Sequence, residues 1–307
     1  MYLEHFSLRE LPFTLSPNTE FYFDLEGHRQ AMAVVQAALH KGDGYIRICG
    51  EAGTGKTLLC RRLLQNPGDE FLPAYIPNPF LSPDGLILVI ARELGIMATA
   101  DTSRQQLHAL LDERFNELRN AGKKVLLLLD DVQAMPEETI EALLSLPGQD
   151  CPGFLQILFA GQPELNDLLH KDRLASLKSR ITNSYTLPLL KREETASYIH
   201  HRLRCGGFPG RHLFTPQAVD EIHQNSRGNP RIINILSHKA LLAAYGKRET
   251  SVNFLHVIRG IEETEEARLR SHLEPAEKVA CNWRTMLLAC FGASAMTFTL
   301  VWALMLQ

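Results

Sequence analysis

A glycine-rich loop lies between a short apolar run and a helical pattern early in the chain. The apolar run is Tyr45 to Cys49 (YIRIC), and the helical pattern LLCRRLLQ begins at Leu58. The loop that joins them consists of Gly50, Glu51, Ala52, Gly53, Thr54, Gly55, Lys56 and Thr57. A strand, a GxxxxGK(S/T) loop and a helix in this order predict a P-loop within an α/β layer.

The residue types of this loop suit the binding of a nucleoside triphosphate. Glycines let successive backbone N–H groups face the phosphates without obstruction by a Cβ, and the N-terminus of the following helix adds a positive dipole. We expect Lys56 to contact the β- and γ-phosphates and Thr57 to bind Mg²⁺ through its hydroxyl. The predicted nucleotide-binding residues run from Gly50 to Leu58. The predicted cofactors are ATP and Mg²⁺.

A second apolar run, Val125 to Leu129, ends in two aspartates. Five consecutive apolar residues predict a strand buried on both faces of a parallel sheet, and ligands bind at the carboxyl edge of such a sheet. We expect Asp130 to complete the Mg²⁺ site and Asp131 to orient or deprotonate the attacking water. The alternative is an acidic pair that only closes a strand.

A polar residue follows the next apolar run, Phe154 to Ala160. At the tip of this strand, Gln162 is a candidate contact for the γ-phosphate or for the attacking water. An alternative that is compatible with this role is the N-cap and first turn of a helix from Pro163 to Leu169, since proline is common at the first helical position.

The remaining patterns complete the fold class. Runs at Leu72 to Ile76 and Ser184 to Leu187 supply outer strands, which makes about five strands that alternate with helices. After Pro188 the periodicity predicts four helices: Glu193 to Arg204, Thr215 to Asn225, Pro230 to Tyr245 and Phe254 to Thr264. We therefore predict an α/β P-loop NTPase core with a parallel sheet and a C-terminal helical lid.

Two arginines outside the loop are candidate phosphate ligands. Arg231 falls in the first turn of a lid helix, where it would couple the lid position to the nucleotide state; a chance arginine is the alternative. Arg180 precedes the last core strand and, if the protein forms rings, would act as an arginine finger on the neighbouring subunit. Arg173 competes for that role, and a solvated basic turn is the alternative.

A long uncharged stretch from Thr285 to Gln307 predicts a single transmembrane helix. At about 1.5 Å per residue it is long enough to cross a hydrocarbon core of about 30 Å. Trp283 and Trp302 fall near the two interfaces, and Lys278 and Arg284 precede the stretch, which places the preceding domain in the cytoplasm. A buried terminal helix and an in-plane amphipathic helix are the alternatives.

These patterns divide the chain into five parts. They are an N-terminal segment packing on the core (1–40), the α/β core (41–190), the helical lid (191–265), a charged linker (266–284) and the transmembrane helix (285–307). Lys and Arg number 32 against 35 Asp and Glu, a net charge of −3, which makes nucleic acid an unlikely partner.

The opening residues YLEHFSLRELPFTLSPNTEFYF resemble the signature of the ExeA/GspA-like AAA ATPases of secretion and pilus assembly. The resemblance continues through GEAGTGKT, LLLLDDVQAM, FAGQPEL, PLLKREETASYIHHRL, LFTPQAV and RGNPRIIN, over nearly all of residues 1–265. It implies an AAA+ ATPase at the bacterial inner membrane, a homo-oligomer that can form a ring, and pilus or secretion assembly proteins as partners. The family usually shows Asp-Glu-Ala-Gln where this chain has Asp130 to Gln133, a difference that concerns the rate of hydrolysis.

Apolar residues of the opening segment are candidates for a contact with the nucleotide base. We expect Phe6, Pro12 and Phe13 to pack near the adenine ring; the alternative is that they only tie the segment to the core.

Three functions follow from these features. The leading hypothesis is a membrane-anchored cytoplasmic AAA+ ATPase that uses ATP to support assembly of a type IV (MSHA-like) pilus or a related secretion machine. A nucleotide-gated scaffold with little turnover is suggested by the short side chain of Asp131. A DNA-transposition-type helper ATPase shares much of this core, but the net charge argues against it.

Overall fold

A five-stranded parallel sheet forms the centre of the described part of the chain. The computed structural model describes residues 2–264. The strands are β1 (Tyr45–Cys49), β2 (Phe71–Ile76), β3 (Lys124–Leu129), β4 (Leu155–Gly161) and β5 (Ile181–Thr186). Their order in the sheet is β2-β3-β4-β1-β5, and every neighbouring pair is parallel. The predicted parallel sheet is confirmed, and the two runs predicted as outer strands are its edges.

Helices cover both faces of this sheet and then form the lid. The α/β layer contains α1 (Glu26–Lys41), α2 (Lys56–Gln65), α3 (Pro83–Glu93), α4 (Arg104–Asn120), α5 (Glu137–Ala142), α6 (Glu164–Leu169) and α7 (Ala175–Arg180). The lid contains α8 (Arg192–Cys205), α9 (Pro216–Ser226), α10 (Pro230–Gly246) and α11 (Phe254–Glu262). The four predicted lid helices agree with these bounds to within two residues.

The register of the sheet brings the ends of three strands to one edge. Cys49 of β1 pairs with Gly161 of β4, and Leu129 of β3 pairs with Phe159 of β4. The residues that follow β1, β3 and β4 therefore meet at the carboxyl edge. The three strands are almost fully buried because α1 and α2 pack on one face while α3 and α4 pack on the other.

The N-terminal segment contacts both the α/β core and the lid, since Arg61 and Gln65 of α2 donate hydrogen bonds to Pro17 and Thr19. Tyr2, Phe6, Leu8 and Phe13 are buried in the apolar cluster of the lid, not against the α/β core. Burying these side chains completes a core that four lid helices enclose only in part. The helix α1 belongs instead to the α/β layer, so the expected boundary between residues 40 and 41 does not separate two packing units.

The membrane prediction concerns residues beyond this description. Within residues 2–264, no helix combines the length and the apolar character needed to cross a membrane. The predicted charged linker (266–284) and transmembrane helix (285–307) lie outside the described residues.

Candidate nucleotide-binding site

The glycine-rich loop takes a conformation that depends on two of its glycines. Gly53 and Gly55 have φ values of +85° and +96°, a left-handed region that other residues rarely adopt. A Cβ on Gly53 would also collide with the Cβ of Arg231 in the lid. The Thr54 hydroxyl closes the loop by donating to the carbonyl of Glu51 over 2.8 Å. This loop leads directly into α2, whose N-terminus faces the cavity.

The side chain of Lys56 is held by backbone carbonyl groups of the glycine-rich loop. It is buried, and its Nζ donates to the carbonyl oxygens of Gly50 (2.8 Å) and Glu51 (3.0 Å). Burial lowers the pKa of Lys56, and the nearby carboxylates of Asp131 and Asp130 raise it in part. The ammonium lines the cavity, where it can bind phosphate oxygens.

The predicted Mg²⁺ ligands lie together at the carboxyl edge. The Thr57 hydroxyl donates to Oδ2 of Asp130 over 2.6 Å, and the Tyr75 hydroxyl donates to the same oxygen over 3.1 Å. The backbone N–H of Asp131 donates to Oδ1 of Asp130 over 3.1 Å. Hydroxyl and carboxylate oxygens are ligands that Mg²⁺ prefers, so this pair fits the ion. Tyr75 was not predicted from the sequence; its pKa is raised by burial and by Asp130.

Asp131 and Gln162 line the same cavity, as expected from their places after β3 and β4. Asp131 has a left-handed backbone with φ of 52°. Gln133 lies between them and makes hydrogen bonds to both residues. Gln133 is the last residue of the Asp130 to Gln133 motif. Its hydrogen bonds depend on the pairing of β3 with β4, which the motif does not predict.

The lid contacts the loop at the start of α10. Asn229 caps this helix, accepting from the backbone N–H of Arg231 over 3.0 Å, and its Nδ2 donates to the carbonyl of Ala52 over 2.8 Å. Arg231 lines the cavity together with the loop. The structure thus places Arg231 beside the P-loop, and its contact with phosphate stays a prediction.

Side chains from the N-terminal segment and the lid form the far wall of this cavity of about 300 Å³. The lining includes Phe21 and residues 14–18 from the first segment and Arg202 from α8. Arg202 donates to the carbonyl of Pro12 over 2.6 Å, and its guanidinium lies 4.7 Å from the ring centre of Phe21. Phe6, Pro12 and Phe13 do not line the cavity, so the expectation that these three residues pack near the adenine ring is wrong.

His28 of α1 is a further residue that the sequence did not reveal. Its Nε2 must donate to the carbonyl of Thr54, 2.8 Å away, because a carbonyl oxygen only accepts. Its Nδ1 is buried and has no hydrogen-bond partner among the described residues. Burial lowers the pKa of His28, which favours the neutral ring. The histidine lies in no motif that would have drawn attention to it.

The two candidate finger arginines lie away from this cavity. Arg180 contacts Gln149, and its guanidinium lies 6.0 Å from the ring of Tyr45, at the amino end of β1. Arg173 pairs with Glu141 on the surface. Since the P-loop follows the opposite end of β1, Arg180 can reach a phosphate only in another subunit, and that role stays a prediction.

Comparisons with known proteins identify a matching domain family and a related sequence. Residues 39–169 match the profile of the AAA domain family. General secretion pathway protein A of Aeromonas hydrophila is 34% identical over 249 residues, which cover 80% of this chain and 45% of that protein. The chain therefore spans less than half the length of this relative.

Solved structures resemble this one in fold. Drosophila ORC bound to DNA has a TM-score of 0.64 at 19% identity, covering 88% of this chain and 68% of that chain. Cdc6p from Pyrobaculum aerophilum has a TM-score of 0.62 at 18% identity, covering 85% and 70%. The described chain thus has the α/β fold of an AAA-type P-loop ATPase, with an AAA domain related to general secretion pathway protein A.

Proposed function

We propose that this chain is an AAA+ ATPase of the bacterial inner membrane that binds and hydrolyses ATP in the cytoplasm and supports assembly of a type IV (MSHA-like) pilus or a related secretion machine. One observation carries the ATPase part of the proposal. Lys56 of the loop, Asp131 after β3 and Arg231 of the lid line a single cavity. A phosphate-binding cation, a water-activating carboxylate and a lid cation together suit phosphoryl transfer to water.

Each residue then has a defined task. The loop N–H groups and Lys56 bind the phosphates, and Thr57 and Asp130 would hold Mg²⁺, which offsets the negative charge of the phosphate oxygens when bound. Asp131 accepts a proton from the water whose oxygen attacks the γ-phosphorus, while the bond from that phosphorus to the β–γ bridging oxygen breaks and ADP leaves. Gln162 supplies a polar contact at the tip of β4.

The lid converts nucleotide state into movement in this proposal. Asn229 and Arg231 join α10 to the P-loop, and the lid also buries the apolar side chains of the first segment, Tyr2, Phe6, Leu8 and Phe13. A change of phosphate contacts at Arg231 therefore acts on the lid and the N-terminal segment as one packed unit. The lid is followed in sequence by the residues predicted to enter the membrane.

The cellular role rests on resemblance. The relative from Aeromonas hydrophila is a general secretion pathway protein. From the sequence motifs we propose that, within this family, the chain is of the kind of the MSHA pilus biogenesis protein MshM. We propose inner-membrane assembly proteins and further copies of this chain as partners. Crosslinking in intact cells, followed by identification of the captured proteins, tests this part.

Phosphate release by the purified full chain tests the ATPase part. We expect Mg²⁺-dependent release that is lost in Lys56→Ala and in Asp131→Asn, with nucleotide binding lost only in Lys56→Ala. Lys41→Ala, an exposed lysine at the end of α1, serves as the control and should behave as the wild type. Binding without release in the wild type would favour the nucleotide-gated scaffold, and tight salt-sensitive DNA binding would favour the DNA-handling alternative.

Membrane fractionation tests the anchor separately. Removing residues 282–307 should move the protein from the membrane fraction to the soluble fraction, since it removes the long uncharged stretch and Trp283. If the shortened chain still sediments with membranes, another surface attaches it.

A further inference from the structure

Gln133 joins the ends of two neighbouring strands at the candidate site. Its Oε1 accepts a hydrogen bond from the backbone N–H of Gln162 over 2.8 Å, and its Nε2 donates one to Oδ1 of Asp131 over 3.2 Å. Asp131 follows β3, and Gln162 follows β4. One amide group therefore connects the proposed water-activating carboxylate with the strand tip beside it.

The chemistry of the two partners fixes the orientation of this amide. A backbone N–H only donates a hydrogen bond, and an ionised carboxylate only accepts one. The carbonyl oxygen of Gln133 must therefore face Gln162, and its amino group must face Asp131. Glutamate has the same length, but as a carboxylate it supplies no donor for Asp131.

Packing around the amide restricts its movement. A Cβ built on Gly161 would lie 3.1 Å from Oε1 of Gln133, so the glycine makes room for the bridge. Asp131 is the residue that precedes the short 3-10 helix Val132–Ala134, which carries Gln133, so the hydrogen bond joins two side chains at one turn. The bond from the N–H of Asp131 to Asp130 fixes the backbone at the same point.

We propose that Gln133 is a positioning residue for ATP hydrolysis, which holds the Asp131 carboxylate beside the tip of β4. The inference rests on the proposed ATPase function and deepens it. Aspartate is one methylene shorter than glutamate and reaches less far from the backbone, and the hydrogen bond from Gln133 sets the orientation of its carboxylate. The bond from Gln133 engages Oδ1 of Asp131, and the second carboxylate oxygen, Oδ2, is the proposed acceptor for the proton of the attacking water.

Steady-state hydrolysis by the full chain tests the bridge with two variants. Gln133→Met has nearly the same shape and loses both bonds, whereas Gln133→Glu keeps the bond from Gln162 and loses the donor to Asp131. We expect kcat to fall by about ten-fold or more in both, because small displacements of reacting groups slow catalysis strongly. The KM for ATP and the dissociation constant of a fluorescent ATP analogue should stay within about two-fold.

Two results would contradict a positioning role for Gln133. A wild-type kcat in Gln133→Glu would show that the donor to Asp131 is not needed, and a loss of affinity with unchanged kcat would show that Gln133 serves binding instead. Gln106→Met is the matched control, since Gln106 also accepts a bond from a backbone N–H, that of Ser103, outside the site. It should leave kcat unchanged, and thermal unfolding should show that all three variants fold.

A second readout does not depend on turnover. With ¹⁵N-labelled glutamine in the full chain, the side-chain amide resonance of Gln133 should shift in Asp131→Asn and on addition of Mg²⁺ with AMP-PNP, whereas that of Gln106 should not. If the wild type releases no phosphate but this resonance shifts, the proposed function fails and the bridge stands. If Asp131→Asn leaves the resonance unchanged, the bridge is absent even in an active ATPase.

Discussion

Nδ2 of Asn229 in the lid donates a hydrogen bond to the carbonyl oxygen of Ala52 in the P-loop over 2.8 Å. The same side chain caps α10 through the backbone N–H of Arg231. Asn229 is buried, so water does not replace the lost partner readily if either bond breaks. One amide thus sets both the start of the lid helix and its distance from the nucleotide-binding loop.

The variant Asn229→Ala should lose both contacts. Loss of the cap should lower the free energy of unfolding by about 1 kcal/mol. Loss of the bond to Ala52 should weaken ATP binding by about five-fold, the equivalent of one hydrogen bond. Urea unfolding and titration with a fluorescent ATP analogue measure the two effects.

A second helix cap provides the control for this prediction. Asn253 caps α11 by accepting from the N–H groups of Leu255 and His256, and it does not line the cavity. Asn253→Ala should destabilise the protein by a similar amount and leave ATP affinity unchanged. Equal losses of affinity in the two variants would mean that the contact with Ala52 has no part in binding.

Gly228 lies where the lid meets the chain that leads out of the sheet. Its carbonyl accepts from the N–H of Leu190 over 2.9 Å, its φ is +79°, and a Cβ would collide with the carbonyl oxygen of Leu190. Gly228→Ala should therefore lower the free energy of unfolding by about 2 kcal/mol or more. Alanine would strain the left-handed backbone at this position, and its Cβ would push the backbone of Leu190 away.

A second glycine at the other end of α10 tests whether this effect is specific. Gly246 has no positive φ and no heavy atom within 4 Å of a built Cβ. Gly246→Ala should be neutral or stabilise the protein by about 0.5 kcal/mol, because alanine loses less backbone entropy in a helix. Similar melting temperatures for the two variants would contradict the prediction.

The sequence predicts those parts of the site that are encoded in short, continuous stretches of the chain. β1 has the predicted bounds, and Thr57 and Asp130, 73 positions apart, are in contact because the parallel strands bring the loops that follow them to one edge. Apolar spacing showed that Phe6 and Phe13 are buried but not which layer buries them. The contacts of Gln133 depend on the pairing of β3 with β4, which no local pattern records.

The metal ligands give a prediction about ion dependence. Thr57→Val keeps the shape of the side chain and removes the hydroxyl that donates to Asp130. If Thr57 and Asp130 hold Mg²⁺, the Mg²⁺ concentration for half-maximal phosphate release should rise by about ten-fold or more. Varying Mg²⁺ at saturating ATP measures the change.

Thr139→Val is the matched control for this change. The Thr139 hydroxyl is buried and donates to the carbonyl of Leu81 over 2.7 Å, away from the cavity. This variant should lose about 1 kcal/mol of stability and keep the wild-type Mg²⁺ requirement. A shift in both variants would point to a general loss of structure.

Buried histidines predict how stability depends on pH. Burial lowers the pKa of His28 below its ordinary value of about 6.5, and burial also lowers the pKa values of His201 and His238. The unfolded chain therefore binds protons near pH 6.5 that the folded protein binds only at lower pH. The free energy of unfolding should thus be fully present above about pH 7 and fall as the pH drops through the folded pKa values.

The variant His28→Gln isolates the contribution of the buried histidine in the site. Glutamine can still donate to the carbonyl of Thr54, but it takes up no proton. Urea unfolding between about pH 7.5 and 5 should show a smaller loss of stability than in the wild type, by up to about 1.4 kcal/mol per pH unit. Parallel curves for the two proteins over this whole range would mean that His28 is protonated equally in the folded and unfolded chains.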